Sequence, residues 1–146
     1  MKIHVEHGDF EEAEIVVRCK QIDDEILELL ALLRERSSVI SGFANKETHL
    51  VTPSDILYAE SIDGKTFLYT VDMVLETHQS LTVLQAFHED FGLLRISKSQ
   101  IVNLHHVAKL KGLGNSRIEI VLRNGEKLIV SRHYIHSLKE KLGMDY

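Results

Sequence analysis

The sequence predicts a mainly β fold with short helices, of the α+β class. Short runs with alternating apolar residues recur from residue 39 to residue 130, and turn signals such as Asp63-Gly64 and Asn124-Gly125 separate them. Helical spacing of apolar residues is confined to residues 21–36, 80–88 and 132–142. These observations indicate an antiparallel β domain of about 100 residues that follows a smaller N-terminal segment.

The N-terminal segment is expected to span residues 1–44 and to form a small β-hairpin plus a helix. Lys2–Glu6 and Glu14–Cys19 alternate as strands do, and Gly8-Asp9 between them is a turn signal. Residues 21–36 have apolar side chains at helical spacing and acidic residues in the first turn. This segment, net acidic, is a candidate dimerisation or partner-binding region, and residues 45–146 form the second domain.

The first half of the β domain is predicted as two hairpins and a single strand. One hairpin turns at 45–47 and the other at Asp63-Gly64-Lys65, a strong hairpin signal. The predicted strands are 39–44, 48–51, 56–62, 66–71 and 74–77.

The second half combines two short helices with further strands. Ser80 is a good N-cap for a helix over residues 80–88, and Gly143 ends a helix over residues 132–142. Gly112-Leu113-Gly114 is interpreted as a loop. The predicted strands are 93–96, 118–122 and 127–130.

Charge is distributed unevenly along the chain. The net charge is −5, yet Phe91–Tyr146 contains 10 Lys+Arg against 4 Asp+Glu, so the first 90 residues carry −11. A basic region within an acidic protein favours an anionic polymer as the partner, with DNA as the best candidate. The single cysteine, Cys19, excludes an intramolecular disulfide and is expected to be buried. No signal peptide or long apolar run is present, which predicts a cytoplasmic protein.

Five segments occur in a characteristic order: DILYAES at 55–61, the DGK turn at 63–65, QSL at 79–81, FGLLRISKSQIVN at 91–103 and VSRHYIHSLKEKL at 130–142. Together they resemble the LytTR DNA-binding domain, the output module of many bacterial response regulators. The resemblance covers about two-thirds of the chain and implies elongated antiparallel sheets whose loops enter successive major grooves. It also implies a stand-alone regulator without a receiver domain, which binds paired direct repeats in promoter DNA as a homodimer.

The resemblance further implies which residues contact DNA. They are Lys65, Thr66, Ser97, Lys98, Gln100, Arg132 and His133. By its chemistry, Arg132 suits a bidentate contact to guanine, whereas Lys65 and Lys98 are point charges suited to phosphate. The family usually has His-Arg or His-Asn where this chain has Ser97-Lys98, and a lysine lacks the forked donors of arginine.

Structural interpretations of the same residues remain open. Lys65 would be exposed in any hairpin, and Ser97 can hydrogen-bond within its own turn. We expect Arg95 to be the partner of a structural ion pair, and Asn103 to cap the turn that follows it.

Other functional classes are less well supported by the sequence. His105-His106 and His133-x-x-His136 lack further ligands at the spacing of a zinc site, and no nucleophile elbow or glycine-rich phosphate loop is present. We therefore expect no catalytic residues, metal or cofactor. The alternative function is a protein-interaction or adaptor module that acts through the acidic N-terminal segment. A separate regulatory partner, with a membrane protein as one candidate, is expected to supply the signal.

Overall fold

The structure is a computed structural model that describes residues 1–37 and 39–144. Its chain forms two compact units, residues 1–33 and residues 34–146. The strand that ends at Ala44 pairs with the next strand of the chain and so belongs to the larger compact unit. The functional division into residues 1–44 and 45–146 remains a prediction.

The N-terminal unit contains the start of helix α1 (Asp24–Ser37). Asp23 begins the helix, since its carboxylate accepts a hydrogen bond from the backbone N–H of Ile26 at 3.0 Å. The hairpin predicted for this unit was wrong, because residues 1–23 form no helix or strand. Two isolated strands bury too little apolar surface to be stable. Cys19, expected to be buried, is exposed.

The larger unit contains, within the described residues, one sheet of seven strands and one of three. The first sheet comprises β1 Ile40–Ala44, β2 Glu47–Val51, β3 Ile56–Ile62, β4 Lys65–Thr70, β5 Val74–Thr77, β6 Leu93–Arg95 and β7 Gln100–Asn103. The strand order is β2-β1-β5-β4-β3-β7-β6, and all neighbours are antiparallel. The mainly antiparallel β fold with short helices is thereby confirmed.

Tight turns fix the register of the first two hairpins. Asn45 and Lys46 have φ of 51° and 66°, and Asp63 and Gly64 have φ of 51° and 79°. Positive φ at both central residues is the turn geometry that matches the twist of a two-residue hairpin. Lys65, predicted to lie in the turn, is instead the first residue of β4 and pairs with Ile62.

The smaller sheet comprises β8 Val107–Leu113, β9 Arg117–Leu122 and β10 Lys127–Val130, in the order β10-β9-β8. Strand β8 was not predicted from the sequence, and it includes Gly112 and Leu113, which were expected to lie in a loop. Its pattern was weak because Lys109 and Lys111 are exposed while Leu110 is only half-buried, as is usual in an edge strand.

Two further helices complete the unit and confirm their predictions: α2 (Leu81–His88) and α3 (Arg132–Leu142). The Ser80 hydroxyl caps α2 by accepting from the N–H of Val83 at 3.2 Å. Gly143 ends α3 with a φ of 67°, a left-handed conformation that favours glycine.

Two apolar clusters form the core of this unit. One packs α2 onto the seven-stranded sheet; its fully buried side chains include Leu68, Leu84 and Ile101. The other joins both sheets to α3 and includes Ile96, Ile120 and Leu138. The residues of β6 and β7 alternate between the two clusters, so this hairpin has apolar contacts on both faces and its position is tightly determined.

A pair of tyrosines makes contacts within the larger sheet and one contact to the smaller sheet. Tyr58 and Tyr69 stack with ring centroids 4.3 Å apart, and the Tyr69 hydroxyl donates to Glu60 at 3.2 Å. Burial, followed by the hydrogen bond to Glu126 in the β9–β10 turn, raises the pKa of Tyr58. Since Tyr58 lies in β3, this bond connects the larger sheet to the smaller one.

His88, at the C-terminal end of α2, gives a pH dependence that can be measured. Its imidazole is 2% exposed, Nδ1 has no partner among the described residues, and burial lowers its pKa from the ordinary 6.5. The unfolded chain therefore binds this proton more readily than the folded one, and the free energy of unfolding should fall as pH drops below about 6.5.

Urea unfolding at about pH 8 and about pH 5 measures this effect. His88→Leu removes the titrating group and should show a smaller loss of stability on acidification than the wild type. Equal losses in the two proteins would show that other groups cause the acid sensitivity.

Candidate nucleic-acid interface

Three short elements present the predicted contact residues: the β3–β4 hairpin, the β6–β7 turn and the start of α3. The backbone N–H of Ser61, in the hairpin, donates to the carbonyl of Ser99, in the turn, at 2.8 Å. The N–H of Ser131, the N-cap of α3, donates to the carbonyl of Ile96, directly before the turn, at 2.9 Å. These two bonds place the three elements side by side.

The β6–β7 turn is held by its own residues. Its backbone closes with a 3.0 Å hydrogen bond from the N–H of Ile96 to the carbonyl of Gln100. The Ser97 hydroxyl accepts from the N–H of Ser99 at 3.3 Å. Ser97 is thus used within the turn, as its structural interpretation expected, while its predicted contact with DNA remains a prediction.

Arg95 stabilises this turn through hydrogen bonds to its backbone. Its Nε donates to the carbonyl of Ser97 at 2.8 Å and its guanidinium also donates to the carbonyl of Lys98. The backbone N–H of Arg95 in turn donates to the side chain of Gln85, on α2, at 2.6 Å. The expected ion pair was wrong, because the partners of the guanidinium are carbonyl oxygens. Five rigid donors suit arginine to this double contact.

Lys98 lies in this turn, between β6 and β7. It is exposed, and no ion pair found among the described residues includes it. A lysine whose charge has no protein partner is free to neutralise an external anion.

Arg132 and His133 occupy the first turn of α3. Both are exposed, and the His133 ring meets Tyr134 edge-on with centroids 5.1 Å apart. The Ser131 hydroxyl donates to the Ile96 carbonyl at 3.4 Å, which fixes the helix end against the β6–β7 hairpin. The guanidinium of Arg132 is absent from the ion pairs of the described chain, so its donors remain available.

The remaining predicted residues differ in accessibility. Lys65 is exposed, and its Nζ lies 3.9 Å from Glu76 Oε1, a surface pair that holds the side chain weakly. Thr66 is 7% exposed and lies in the floor of a groove beside the hairpin. Gln100 is half-buried in β7 opposite Glu60. Lys65, Thr66 and Lys98 line the same groove, which brings the hairpin and the turn together.

Asn103 supports the site from inside the fold. It is fully buried; its Nδ2 donates to the carbonyls of Pro53 and Ile56, each at 2.9 Å, and its Oδ1 accepts from the N–H of His105 at 3.0 Å. The expected cap is confirmed by the bond to His105. No sequence pattern predicts the two long-range bonds, which connect β7 to the turn before β3 and to the start of β3.

The histidines considered as metal ligands have structural contacts instead. His106 Nε2 lies 2.8 Å from the Ser54 carbonyl, and His136 Nε2 lies 3.6 Å from a Glu140 carboxylate oxygen. Among residues 1–37 and 39–144, no group of three or more His, Cys, Asp or Glu side chains is placed to hold a metal. In the same part of the chain, no helix has the length and hydropathy of a membrane span.

Comparison with known proteins identifies this arrangement of elements. The profile of the LytTr DNA-binding domain family matches residues 46–143, which is more than half of the chain. The chain belongs to the LytTR DNA-binding domain family. The resemblance predicted from its five sequence segments is thereby confirmed.

Relatives of this LytTR protein fall into two groups. It is 32% identical over 93 residues to the sensory transduction protein LytT of Bacillus anthracis, which covers 64% of this chain and 38% of the relative. The chain thus matches less than half the length of that protein. It is 26% identical over 136 residues to an uncharacterized HTH-type transcriptional regulator of Staphylococcus aureus strain NCTC 8325, covering 91% of each.

A solved structure has the same fold as the LytTR domain described here. It is the LytTr DNA-binding domain of a protein described as a methyl-accepting/DNA response regulator from Bacillus cereus. The match has a TM-score of 0.69 and 24% sequence identity, and covers 73% of this chain and 98% of the other. At this identity the likeness establishes the fold of the domain.

Proposed function

We propose that this LytTR protein is a transcriptional regulator that binds promoter DNA in a sequence-specific manner, with turns and a helix end entering successive major grooves. The observation that carries the proposal is the pair of backbone bonds, Ser61 to Ser99 and Ser131 to Ile96, that joins the three elements side by side. Proteins read bases with a few side chains and position themselves through many phosphate contacts.

Each predicted residue has a role in this proposal that follows from its chemistry and accessibility. Arg132 reads a guanine through two parallel hydrogen bonds, with His133 beside it. Lys98 and Lys65 contact backbone phosphates, and Gln100 and Ser97 support the turn that carries Lys98. Thr66 is recessed in the groove beside the β3–β4 hairpin, so it can contact DNA only if a chemical group of the DNA enters that groove.

Lys98→Ala tests the phosphate contact. We expect weaker binding to every duplex sequence alike, and a slope of log affinity against log salt concentration that is smaller by about 1. Fluorescence anisotropy with several labelled duplexes across a salt series measures both quantities. Lys20→Ala, which changes the net charge equally but lies in the N-terminal unit, is the control and should leave the slope unchanged. A changed sequence preference for Lys98→Ala would instead assign base reading to this lysine.

The N-terminal unit supports a second, compatible proposal: contact with another protein, either a second copy or a regulatory partner such as a membrane protein. Its large apolar side chains are widely exposed, at 89% for Ile3, 71% for Ile15 and 54% for Leu27. Clusters of exposed apolar residues mark interaction surfaces. A homodimer would match paired direct repeats in the operator.

Ile15→Asp and Leu27→Asp in the full chain test this second proposal. If the N-terminal unit mediates dimerisation, light scattering should show a lower mass for these variants than for the wild type, with unchanged thermal stability. A wild-type monomer that captures no second copy on DNA would contradict a dimer formed through this unit.

A further inference from the structure

The groove beside the β3–β4 hairpin has a volume of about 350 Å³ and lies against the start of α2. Two buried threonines from neighbouring strands, Thr66 in β4 and Thr77 in β5, form part of its lining. The Thr77 hydroxyl accepts from the N–H of Gln79 at 3.4 Å. The Thr66 hydroxyl, in a residue only 7% exposed, has no hydrogen-bond partner among the described residues. The Thr66 oxygen is not fully enclosed, so the hydroxyl faces the groove and can form a hydrogen bond with a ligand there.

The first turn of α2 lines the same groove. Helix α2 has eight residues, and its N-cap Ser80 already satisfies the N–H of Val83. The N–H groups of Leu81 and Thr82 precede the first intrahelical bond and therefore lack partners within the helix. Both residues line the groove. Free amides at a helix N-terminus, with the positive end of the helix dipole, form a site for an anion.

The charge of the groove favours the same class of ligand. Lys65, Lys98 and Arg95 line it, and Glu76 is the one carboxylate among the described residues of the lining. Glu76 lies 3.9 Å from Lys65, so the opposing charges of this pair offset each other. Arg95 donates to backbone carbonyls, which leaves the ammonium group of Lys98 as the cation available to a ligand.

We propose that this groove binds one phosphate oxyanion, held by the Leu81 and Thr82 amides, the Thr66 hydroxyl and the Lys98 ammonium group. The inference rests on the proposed function in one respect: its source for the phosphate is the DNA backbone. Inorganic phosphate has the same chemistry and is the alternative source. Such a site would hold a DNA phosphate at a defined position beside the β3–β4 hairpin. It would also give a function to Thr66, which is too recessed to reach a base edge.

Thr66→Val is the decisive variant. Valine has nearly the same shape and carries a methyl group in place of the hydroxyl. Because the Thr66 hydroxyl has no partner in the protein, this substitution should leave the thermal stability unchanged or raise it. Affinity for phosphate should fall about tenfold, because a hydrogen bond to a charged group is lost. Thr48→Val, the same change on the exposed strand β2, should affect neither property.

Backbone amide NMR spectra of the full chain follow the binding directly. Inorganic phosphate should shift the Leu81 and Thr82 amides saturably in the wild type and in Thr48→Val, and about tenfold more weakly in Thr66→Val. A DNA duplex enriched from a random library should shift the same two amides, together with those of Lys98 and Arg132.

The outcomes separate this inference from the proposed function. Shifts of the Leu81 and Thr82 amides with phosphate and with DNA support a backbone phosphate. Shifts with phosphate alone, while DNA moves Lys98 and Arg132, support an oxyanion site filled by free phosphate and overturn the DNA source. An absence of Leu81 and Thr82 shifts with either ligand, while DNA still moves Lys98 and Arg132, overturns the site and leaves the proposed function standing. If DNA shifts no amide resonance, the proposed function is wrong, and the phosphate titration alone then decides whether the groove binds an oxyanion.

Discussion

Replacing Arg132 with alanine is expected to weaken binding to the preferred DNA sequence by about 1–3 kcal/mol and to relax specificity at one base pair. The guanidinium is exposed at the first position of α3, and the helix start is fixed by the bond from Ser131 to Ile96. Such an arginine can present two parallel donors to the acceptors of a guanine without losing an internal contact. Titrations against the preferred duplex and its single-base variants measure both effects.

Two further variants sharpen this test. Arg132→Lys keeps the charge but loses the forked donors, so it should retain non-specific affinity while relaxing the same base pair. Arg123→Ala removes an exposed arginine at the opposite end of β10 and should change neither affinity nor preference beyond a small salt-sensitive effect. If Arg132→Ala binds every duplex as the wild type does, the assignment of base reading to α3 is wrong.

Asn103→Ala is expected to lower the free energy of unfolding by about 2–4 kcal/mol. The substitution leaves the buried carbonyls of Pro53 and Ile56 and the N–H of His105 without their partner. Unpaired polar groups in a buried position lose their solvation without compensation. Chemical denaturation of the full chain measures the loss.

Asn124→Ala is the matched control for this prediction. Its side chain also makes two hydrogen bonds, both to Glu126, but in an exposed turn where water can replace them. The cost there should be below about 1 kcal/mol. Similar costs for the two variants would show that Asn103 does not act as a buried link between β7 and the turn before β3.

Local chemistry explains which elements could be predicted from the sequence. Turn residues such as Asp63-Gly64 specify hairpins through their backbone conformation, and Ser80 and Gly143 mark helix ends through capping. Strand β8 could not be predicted because it is an edge strand with lysines on its exposed face. The N-terminal hairpin was predicted wrongly because alternation alone, without partner strands, does not stabilise a sheet.

In the candidate site, too, some features could be predicted from the sequence and others could not. Motifs gave the positions of Lys98 and Arg132, since both lie in elements with a local signature. Their proximity depends on the Ser131–Ile96 backbone bond, and backbone bonds have no side-chain signature. The burial of Thr66 likewise depends on packing across strands and α2, and the carbonyl contacts of Arg95 depend on the path of a turn.

The central claim is that this LytTR protein reads a DNA sequence with the face formed by its hairpin, its β6–β7 turn and the start of α3. Selection of bound duplexes from a random library by the full chain, at two salt concentrations, tests it most directly. We expect enrichment of a short repeated motif, with affinity that falls steeply as salt rises. Recovery of no motif, with only weak salt-sensitive binding, would contradict the claim and favour the N-terminal unit as the functional part of the chain.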